Sequence, residues 1–307
     1  MLTSLDSQSV LFLADVSQIQ DRMSQANDQV TSGKRINVAS DAPDQIGTLL
    51  QMRADLQHNT QVQANLTLAQ TDANTADDSL SASIQLMDTA VSLASQGATA
   101  TTDANGRASL AQQIQGILQQ MVSYSQTTVQ GRYVFSGDQD SNPQYTFDPT
   151  AANPVVAGLA SQSTRLIEDP AGGSFTASLT AQQIFDDKDP TTGNPATDNV
   201  FNALTTLQQA LQNNDTAGIT SSITLLKAAS DHLNTMESFY GNVLDRVQSA
   251  SDFASKYNVQ LQTEISQTED ADITAAALEL TQANTQLQAA FQMRGQMPHT
   301  SLFNYLG

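Results

Sequence analysis

Apolar residues recur along the first thirty positions at alternating intervals of three and four: Leu2, Leu5, Ser9, Phe12, Val16, Ile19, Met23, Ala26 and Val30. Eight of these nine positions are apolar. Such spacing over four heptads is the template of a narrow coiled-coil seam. A similar row closes the chain, with Ile273, Ala277, Leu280, Leu287 and Phe291 at the same intervals and Asn284 as a polar break. Two longer stripes lie between them. One runs Leu66, Ala69, Ala73, Ala76, Leu80, Met87, Ala90, Ala94; the other runs Ile219, Leu226, Leu233, Val243, Val247, Ala250, Ala254, Tyr257. A shorter helix from Leu110 to Met121 follows the turn at TTDANG.

Proline sets the limits of these helices. No proline occurs between Pro43 and Pro143 or between Pro195 and Pro298, whereas six of the eight fall within 143–195. Proline removes a backbone donor and breaks helix interiors, so the middle of the chain cannot be one long helix. It holds short β-type runs bounded by turn residues: YTFDP, the pair Gly172-Gly173 between RLIEDPA and SFTASL, and DDKDPTTGNP. The expected fold is mainly α with a small β insert, a long antiparallel bundle or coiled coil built from both termini. Its expected segments are 1–40, 41–140, an outer insert 141–199, a helical return 200–268, and 269–307. The stretch GRYVFSG at 131–137 reads as a strand entering a hairpin. Period-2 spacing would put Tyr133 and Phe135 on one face, covering the end of the bundle.

Between the first helix and the next lies TSGKRINVASDAP at 31–43. Its glycine and two cations invite a phosphate-loop reading, which fails. Asp28 stands where the first glycine is needed, Arg35 follows Lys34, and a helix precedes the stretch instead of a strand. The residues supply a helix stop at Gly33 and a restart at Ser40-Asp41-Ala42-Pro43, with a capping residue and proline in the first turn. The segment is a spoke between two helical sections, shaped by Arg35, Ser40 and Asp41.

Charge narrows the function. With 12 Lys+Arg against 31 Asp+Glu the net charge is −19. Nucleic acid and anionic membrane surfaces would be repelled, and no basic cluster exceeds Lys34-Arg35. Cysteine is absent, which removes disulfides and thiolate chemistry. No cleavable signal is visible, and no apolar stretch is long enough to span a bilayer. His58, His232 and His299 have no metal-ligand spacing. Asp187, Asp189 and Asp198 echo a calcium loop, but the glycine sits one place late at Gly193, and a solvated acidic turn is the expectation. No catalytic constellation, cofactor motif or metal site emerges. The rival from another class is an enzyme or adhesin with its site in the 141–199 insert, at Asp186 to Asp189.

Three stretches carry a family resemblance. SGKRINVASDAP resembles the signature that ends the N-terminal helix of bacterial flagellins and their relatives. GRYVFSGDQD at 131–140 is similar to a motif of the hook–filament junction branch of that family, and the ending SLFNYLG resembles the tail of the same branch. The flagellin FNG-type motif is absent, and GRYVFSG takes its place. The segment that carries an Arg read by innate immune receptors in many flagellins corresponds to IQLMDTAVSLASQ, without Arg. The resemblance covers about 1–140 and 200–307.

It implies export unfolded through the flagellar type III apparatus, terminal helices packed into an inner tube, and an insert facing solvent. It also implies self-assembly into a ring and contact with another hook-associated protein, with flagellin and with an export chaperone. A flagellin that forms the filament shaft is the alternative within the family. The residues implied at the assembly interface are Leu5, Phe12, Val16, Ile19, Met23, Val30, Ile273, Leu280, Leu287 and Phe291. Leu302 and Phe303 join them, because four large apolar side chains in the last residues are expected to dock on a neighbour or a chaperone. The terminal arms, about 1–35 and 270–307, are expected to be weakly helical in the free monomer and to order on assembly.

Overall fold

The computed structural model describes residues 7–151, 153–158 and 163–296. Seven helices and three two-stranded antiparallel hairpins are present among them. The chain divides into two compact units, one formed by 1–58 with 257–307 and the other by 59–256.

Helix α2 runs from Ile46 to Ala98 and α6 from Thr216 to Glu269. Within the 59–256 unit, the stripe residues Leu66, Ala73, Ala76, Leu80, Met87, Ala90 and Ala94 on α2 are all fully buried. So are Ile219, Leu226, Leu233 and Ala254 on α6, with Val243, Val247 and Ala250 almost as deep. Asn59 Nδ2 donates to the carbonyl of Ala254 at 2.8 Å, which fixes the two helices antiparallel. Ser83 and Ser222 occupy the stripe positions where the apolar spacing lapses. Each satisfies its hydroxyl on a carbonyl four residues back, so both are buried without an orphaned donor.

Helix α3, Ala104–Ser125, starts where Asp103 accepts the Gly106 N–H, and it packs on α5, Val200–Gln212. Arg107 is buried at this end. Its guanidinium donates to the carbonyls of Gly97 and Thr99 and to Asn214 Oδ1, so the last turn of α2 and the α5–α6 turn share one cation. Free carbonyls at a helix C-terminus are suited to a positive charge.

The first hairpin pairs β1, Thr128–Val129, with β2, Arg132–Tyr133. Its two loop residues, Gln130 and Gly131, have φ of 52° and 78°. Positive φ at both loop positions matches the strand twist of a tight two-residue turn. GRYVFSG therefore closes a hairpin that begins before it, and the strand ends at Tyr133. Beyond it the chain turns, and both Val134 and Phe135 enter the core while Tyr133 stays half-buried. The alternation expected of Tyr133 and Phe135 is broken by that turn.

In the insert, β3, Tyr145–Phe147, pairs with β4, Val155–Ala157, and β5, Leu166–Glu168, pairs with β6, Ser174–Thr176. Asp-Pro pairs shape the turns. Asp148, Asp169 and Asp189 each precede proline, and each accepts the N–H two residues on, at 2.9, 3.0 and 2.8 Å. The Thr150 hydroxyl and amide hold the Asp148 carboxyl below its usual range, and the amides of Thr192 and Thr191 do the same for Asp189. A short helix α4, Ala181–Phe185, carries a capping box between Thr180 and Gln183.

Candidate assembly surface

Helix α1, Ser7–Ser32, and α7, Ile273–Gln296, pair antiparallel within the unit formed by the two ends of the described chain. Among the described side chains, only Val16 and Ala26 on α1, and Ala276 and Ala283 on α7, are buried. Phe12, Ile19, Met23 and Val30 line the same contact and are half-buried, as the 3-4 spacing requires. On α7 the seam differs from the expected row. It follows Ala276, Leu280, Ala283 and Leu287, so Ala283 takes the place assigned to Asn284. Ile273 and Phe291 are 53% and 54% exposed, and Ala277 is exposed as well.

Polar links set that register. Arg294 donates to Ser9 Oγ at 2.7 Å and lies over the Phe12 ring. Arg22 pairs with Glu279 at 3.3 Å and donates to Gln286 Oε1 at 2.7 Å. Ser9, the one polar residue of the N-terminal row, is thus a partner of α7. Phe291 reaches back over the edge of the pair to meet Phe12 edge-on, with ring centroids 6.3 Å apart.

The helix pair leaves apolar surface uncovered. Val10, Leu11 and Leu13 on α1, with Leu278, Phe291 and Met293 on α7, are each more than half exposed. Leu11, Ile19, Ala289 and Met293 line a groove of about 680 Å³ between the helices. Scattered apolar residues are ordinary on a protein surface, but a contiguous groove is the form of a binding face. Leu5, Leu302 and Phe303 lie outside the described residues, as does His299.

The spoke is held by a residue the sequence did not single out. Gly33, at φ 72°, ends α1 in the left-handed conformation that favours glycine. The chain then pairs with the α6–α7 joint. Arg35 N and Ala271 N donate to the carbonyls of Glu269 and Gly33 at 2.6 and 3.0 Å. Arg35 Nη2 donates to Gln45 Oε1 at 2.7 Å and to the Thr268 carbonyl at 2.6 Å. Beneath them the Glu269 side chain, 4% exposed, pairs with Lys34 and with Arg53. Burial pushes its carboxyl upward, but the hydrogen bonds from Lys34 and Arg53 outweigh that and hold it below the usual range.

Ser40 and Asp41 play parts other than the expected helix cap. Asp41 Oδ2 accepts from the amides of Asn37 and Val38 at 2.8 and 2.9 Å, so the carboxylate faces back into the loop. Those two amides, Val38 first, hold the Asp41 carboxyl low. Ser40 is exposed, and the helical turn restarts at Ala42, whose carbonyl accepts from Gln45 and Ile46.

Replacing Glu269 by Gln should loosen this joint. Hydrogen bonds to charged groups contribute roughly 1.5–3 kcal/mol. Lys34 and Arg53 stay about half in water at 48% and 42% exposure, which reduces that to about 1–2 kcal/mol. Amide exchange at Arg35 and Ile36 should then quicken roughly tenfold. The sign with pH follows from the lowered carboxyl. The contribution is present above the ordinary glutamate range, near 4.3, and is lost as pH falls through the lower folded value. Unchanged exchange at those two amides in Glu269→Gln would remove Glu269 from this role.

In the other unit, Phe135 is fully buried and joins a chain of aromatic rings. Its ring lies 5.8 Å from Phe185 and 6.3 Å from Tyr240, edge-on to both. Phe185 stacks on Phe201, which meets Tyr145, and Tyr240 meets Phe239. Tyr240 accepts the Leu179 N–H at 3.1 Å, and complete burial raises its hydroxyl pKa. The neighbouring Arg132 shares Asp72 and Asp140 with Arg165, the closest link being Arg165 to Asp72 at 2.7 Å. Burial pushes the Asp72 carboxyl up in spite of Arg165 and Arg132.

The acidic residues of the insert are not brought together. Asp189 faces its own turn, Asp187 accepts from the Lys188 amide, and Asp198 faces His232. Asp186 accepts from the Tyr145 hydroxyl and the Asn199 amide and pairs with Lys188. No group of three or more His, Asp or Glu that could hold a metal occurs among the described residues.

The two helical ends match one family. Residues 7–140 match the bacterial flagellin N-terminal helical region, and residues 223–306 match the bacterial flagellin C-terminal helical region. The chain belongs to the bacterial flagellin family. Its fold is similar to that of a protein assigned as a flagellar hook-associated protein from Vibrio parahaemolyticus, with a TM-score of 0.62 at 15% identity over 75% of this chain and 100% of that one. A flagellar hook-associated protein-3 from Legionella pneumophila matches with a TM-score of 0.60 at 11% identity, covering 70% of this chain and 97% of that one. The flagellar junction protein FlgL from Legionella pneumophila matches at 0.54 and 11% identity, over 66% and 99%. No curated protein matches significantly by sequence.

Proposed function

We infer that the chain is a structural component of the bacterial flagellum that joins hook to filament, assembling through its terminal helices. The observation that carries this reading is the α1–α7 pair, whose seam is narrow and whose open groove sets Leu11, Ile19 and Met293 beside Gln18 and Gln286. A helix pair of this kind buries little within one chain and gains a second buried face when copies pack side by side. Phe12, Val16, Ile19, Met23, Val30, Leu280 and Leu287 hold the pair together, Phe291 meets Phe12 at its edge with half its surface left open, and Ile273 is exposed for a neighbour. The solved structures of this fold include proteins described as hook-associated and junction proteins, which supports the junction over the shaft.

Export without a cleaved signal, through the flagellar secretion apparatus and with a chaperone, completes the proposal. Among the described residues no helix is long and apolar enough to cross a membrane. Immunogold labelling of isolated flagella tests the reading. A narrow band between hook and filament is expected; label along the whole shaft would identify a filament flagellin instead. A strain lacking residues 300–307 should secrete flagellin without attaching filaments, and normal filaments in that strain would exclude a docking role for the tail.

A further inference from the structure

Met293 is the most exposed large apolar side chain among the described residues, at 65%. It stands in the last turn of α7 and lines the groove beside Leu11, Ile19 and Ala289. An unbranched thioether adapts to an irregular surface, so methionine suits a face that a second chain must fit. It also carries a chemistry that leucine lacks. Oxidation turns the apolar side chain into a polar, chiral sulfoxide. The chain has no cysteine, so its thioethers are its whole sulfur chemistry.

The methionines differ sharply in depth. Met87 and Met121 are fully buried in the core of the 59–256 unit. Met23 is half-buried in the α1–α7 contact, Met52 is half-buried beside the small core of the spoke, and Met236 is half-buried on α6. Met1 and Met297 lie outside the described residues. An oxidant must reach the sulfur lone pair, which makes Met293 the thioether most open to attack among those described.

The step is a simple oxygen transfer. A peroxide such as hydrogen peroxide gives one oxygen atom to the sulfur, its O–O bond breaks, and water leaves. Sulfur loses two electrons and the peroxide gains them. The product carries an S=O dipole that accepts hydrogen bonds and donates none. In open solvent water satisfies it, but burying such a group without a donor is unfavourable.

We propose that Met293 is an oxidation switch on the assembly face, packing against a neighbouring copy as the thioether and blocking that packing as the sulfoxide. The proposal rests on the reading of the α1–α7 pair as the assembly surface. Exclusion runs both ways. The sulfoxide keeps its hydration only while the groove is open, and a neighbour seated there covers the sulfur and keeps oxidant away. The free chain is therefore the form at risk, and the assembled one is protected.

Trypsin, which cuts after Lys and Arg, places each of the eight methionines in a peptide of its own; Arg22 separates Met1 from Met23, and Arg294 separates Met293 from Met297. After limiting hydrogen peroxide on the full chain, peptide masses should show Met293 oxidised roughly tenfold faster or more than Met87 and Met121. Sedimentation over a range of concentrations should show the native chain associating with itself, and the oxidised chain about tenfold more weakly. Met293→Leu conserves volume and apolar character, so it should associate equally well before and after peroxide. Met23→Leu, the contrast, should lose association on oxidation as the native chain does. Met293 oxidised no faster than the core methionines, undiminished association of the oxidised native chain, or a loss in oxidised Met293→Leu would each overturn the switch. An unoxidised chain that stays monomeric at every concentration would overturn the assembly reading itself, and the switch with it.

Discussion

Phe135→Ala should lower the stability of the 59–256 unit by about 3–5 kcal/mol, the usual cost of emptying a buried aromatic site. The ring is fully buried and lies edge-on to Phe185 and Tyr240, so its removal opens a cavity in the middle of the aromatic chain. Edge-to-face pairs add roughly 0.5–1.5 kcal/mol beyond burial. The cavity cannot collapse readily, because three walls are tethered. Phe135 O accepts the Ala181 amide at 2.7 Å, Tyr240 is tied to Leu179, and Phe185 is clamped against Phe201. For a unit of this size the melting temperature should drop by roughly 10 °C. Tyr133→Ala is the control. Half-buried and outside the ring chain, it should cost no more than about 1 kcal/mol. Calorimetry of the full chain reads both, and an unchanged transition in Phe135→Ala would mean that the ring is not where the core is built.

The second large effect concerns the arms. In dilute monomer the amides of Val16–Val30 and Leu280–Phe291 should exchange fast, while Leu80–Val91 and Leu233–Val247 are strongly protected. The difference lies in what each helix buries. Helices α1 and α7 have 26 and 24 residues, yet among their described side chains only Val16 and three alanines are buried. Ordering each backbone residue costs about 1–2 kcal/mol. Most helical stability in proteins comes from tertiary packing of an apolar face, which is narrow in both of these helices. The four buried side chains and the Arg22 and Arg294 links, all at least partly in solvent, fall well short of that. Residues 80–91 and 233–247, by contrast, belong to a continuous core with Leu80, Met87, Leu233 and Tyr240 fully buried. Packing against neighbours would cover Leu11, Phe291 and Met293 as well and shift the arms toward order. Equal protection in all four segments would show the pair to be self-sufficient, and assembly would then not be what orders it.

The stripes on α2 and α6 were legible because each is flanked by polar residues, so only one face of each helix could be the inside. The proline cluster marked the insert for an equally local reason, and Gly172-Gly173 marked the turn of a hairpin whose strands need no distant partner to be recognised. The helix stop at Gly33 was local too. What depends on a residue and its immediate neighbours, chiefly backbone freedom and the side on which apolar groups lie, could be determined from the chain alone.

The α7 register could not. In ITAAALELTQANTQLQAAF two adjacent rows both contain Leu280 and Leu287, one with larger apolar ends and a break at Asn284, the other unbroken but filled out by alanines. Periodicity cannot separate them. The choice falls to Arg294 on Ser9 and to Arg22 on Glu279 and Gln286, contacts made across more than 250 positions of sequence. The Glu269 joint is hidden for the same reason. Its partners Lys34 and Arg53 come from the other end of the chain, and a lone glutamate at the close of a helix carries no local mark. Phe135 shows the limit most directly. Its place was expected from strand alternation, but the strand stops at Tyr133. The ring enters the core because Phe185 and Tyr240 enclose a space of its shape, which exists only once α4 and α6 have packed. Tertiary structure decides wherever two local solutions have nearly the same energy and a partner distant in sequence separates them.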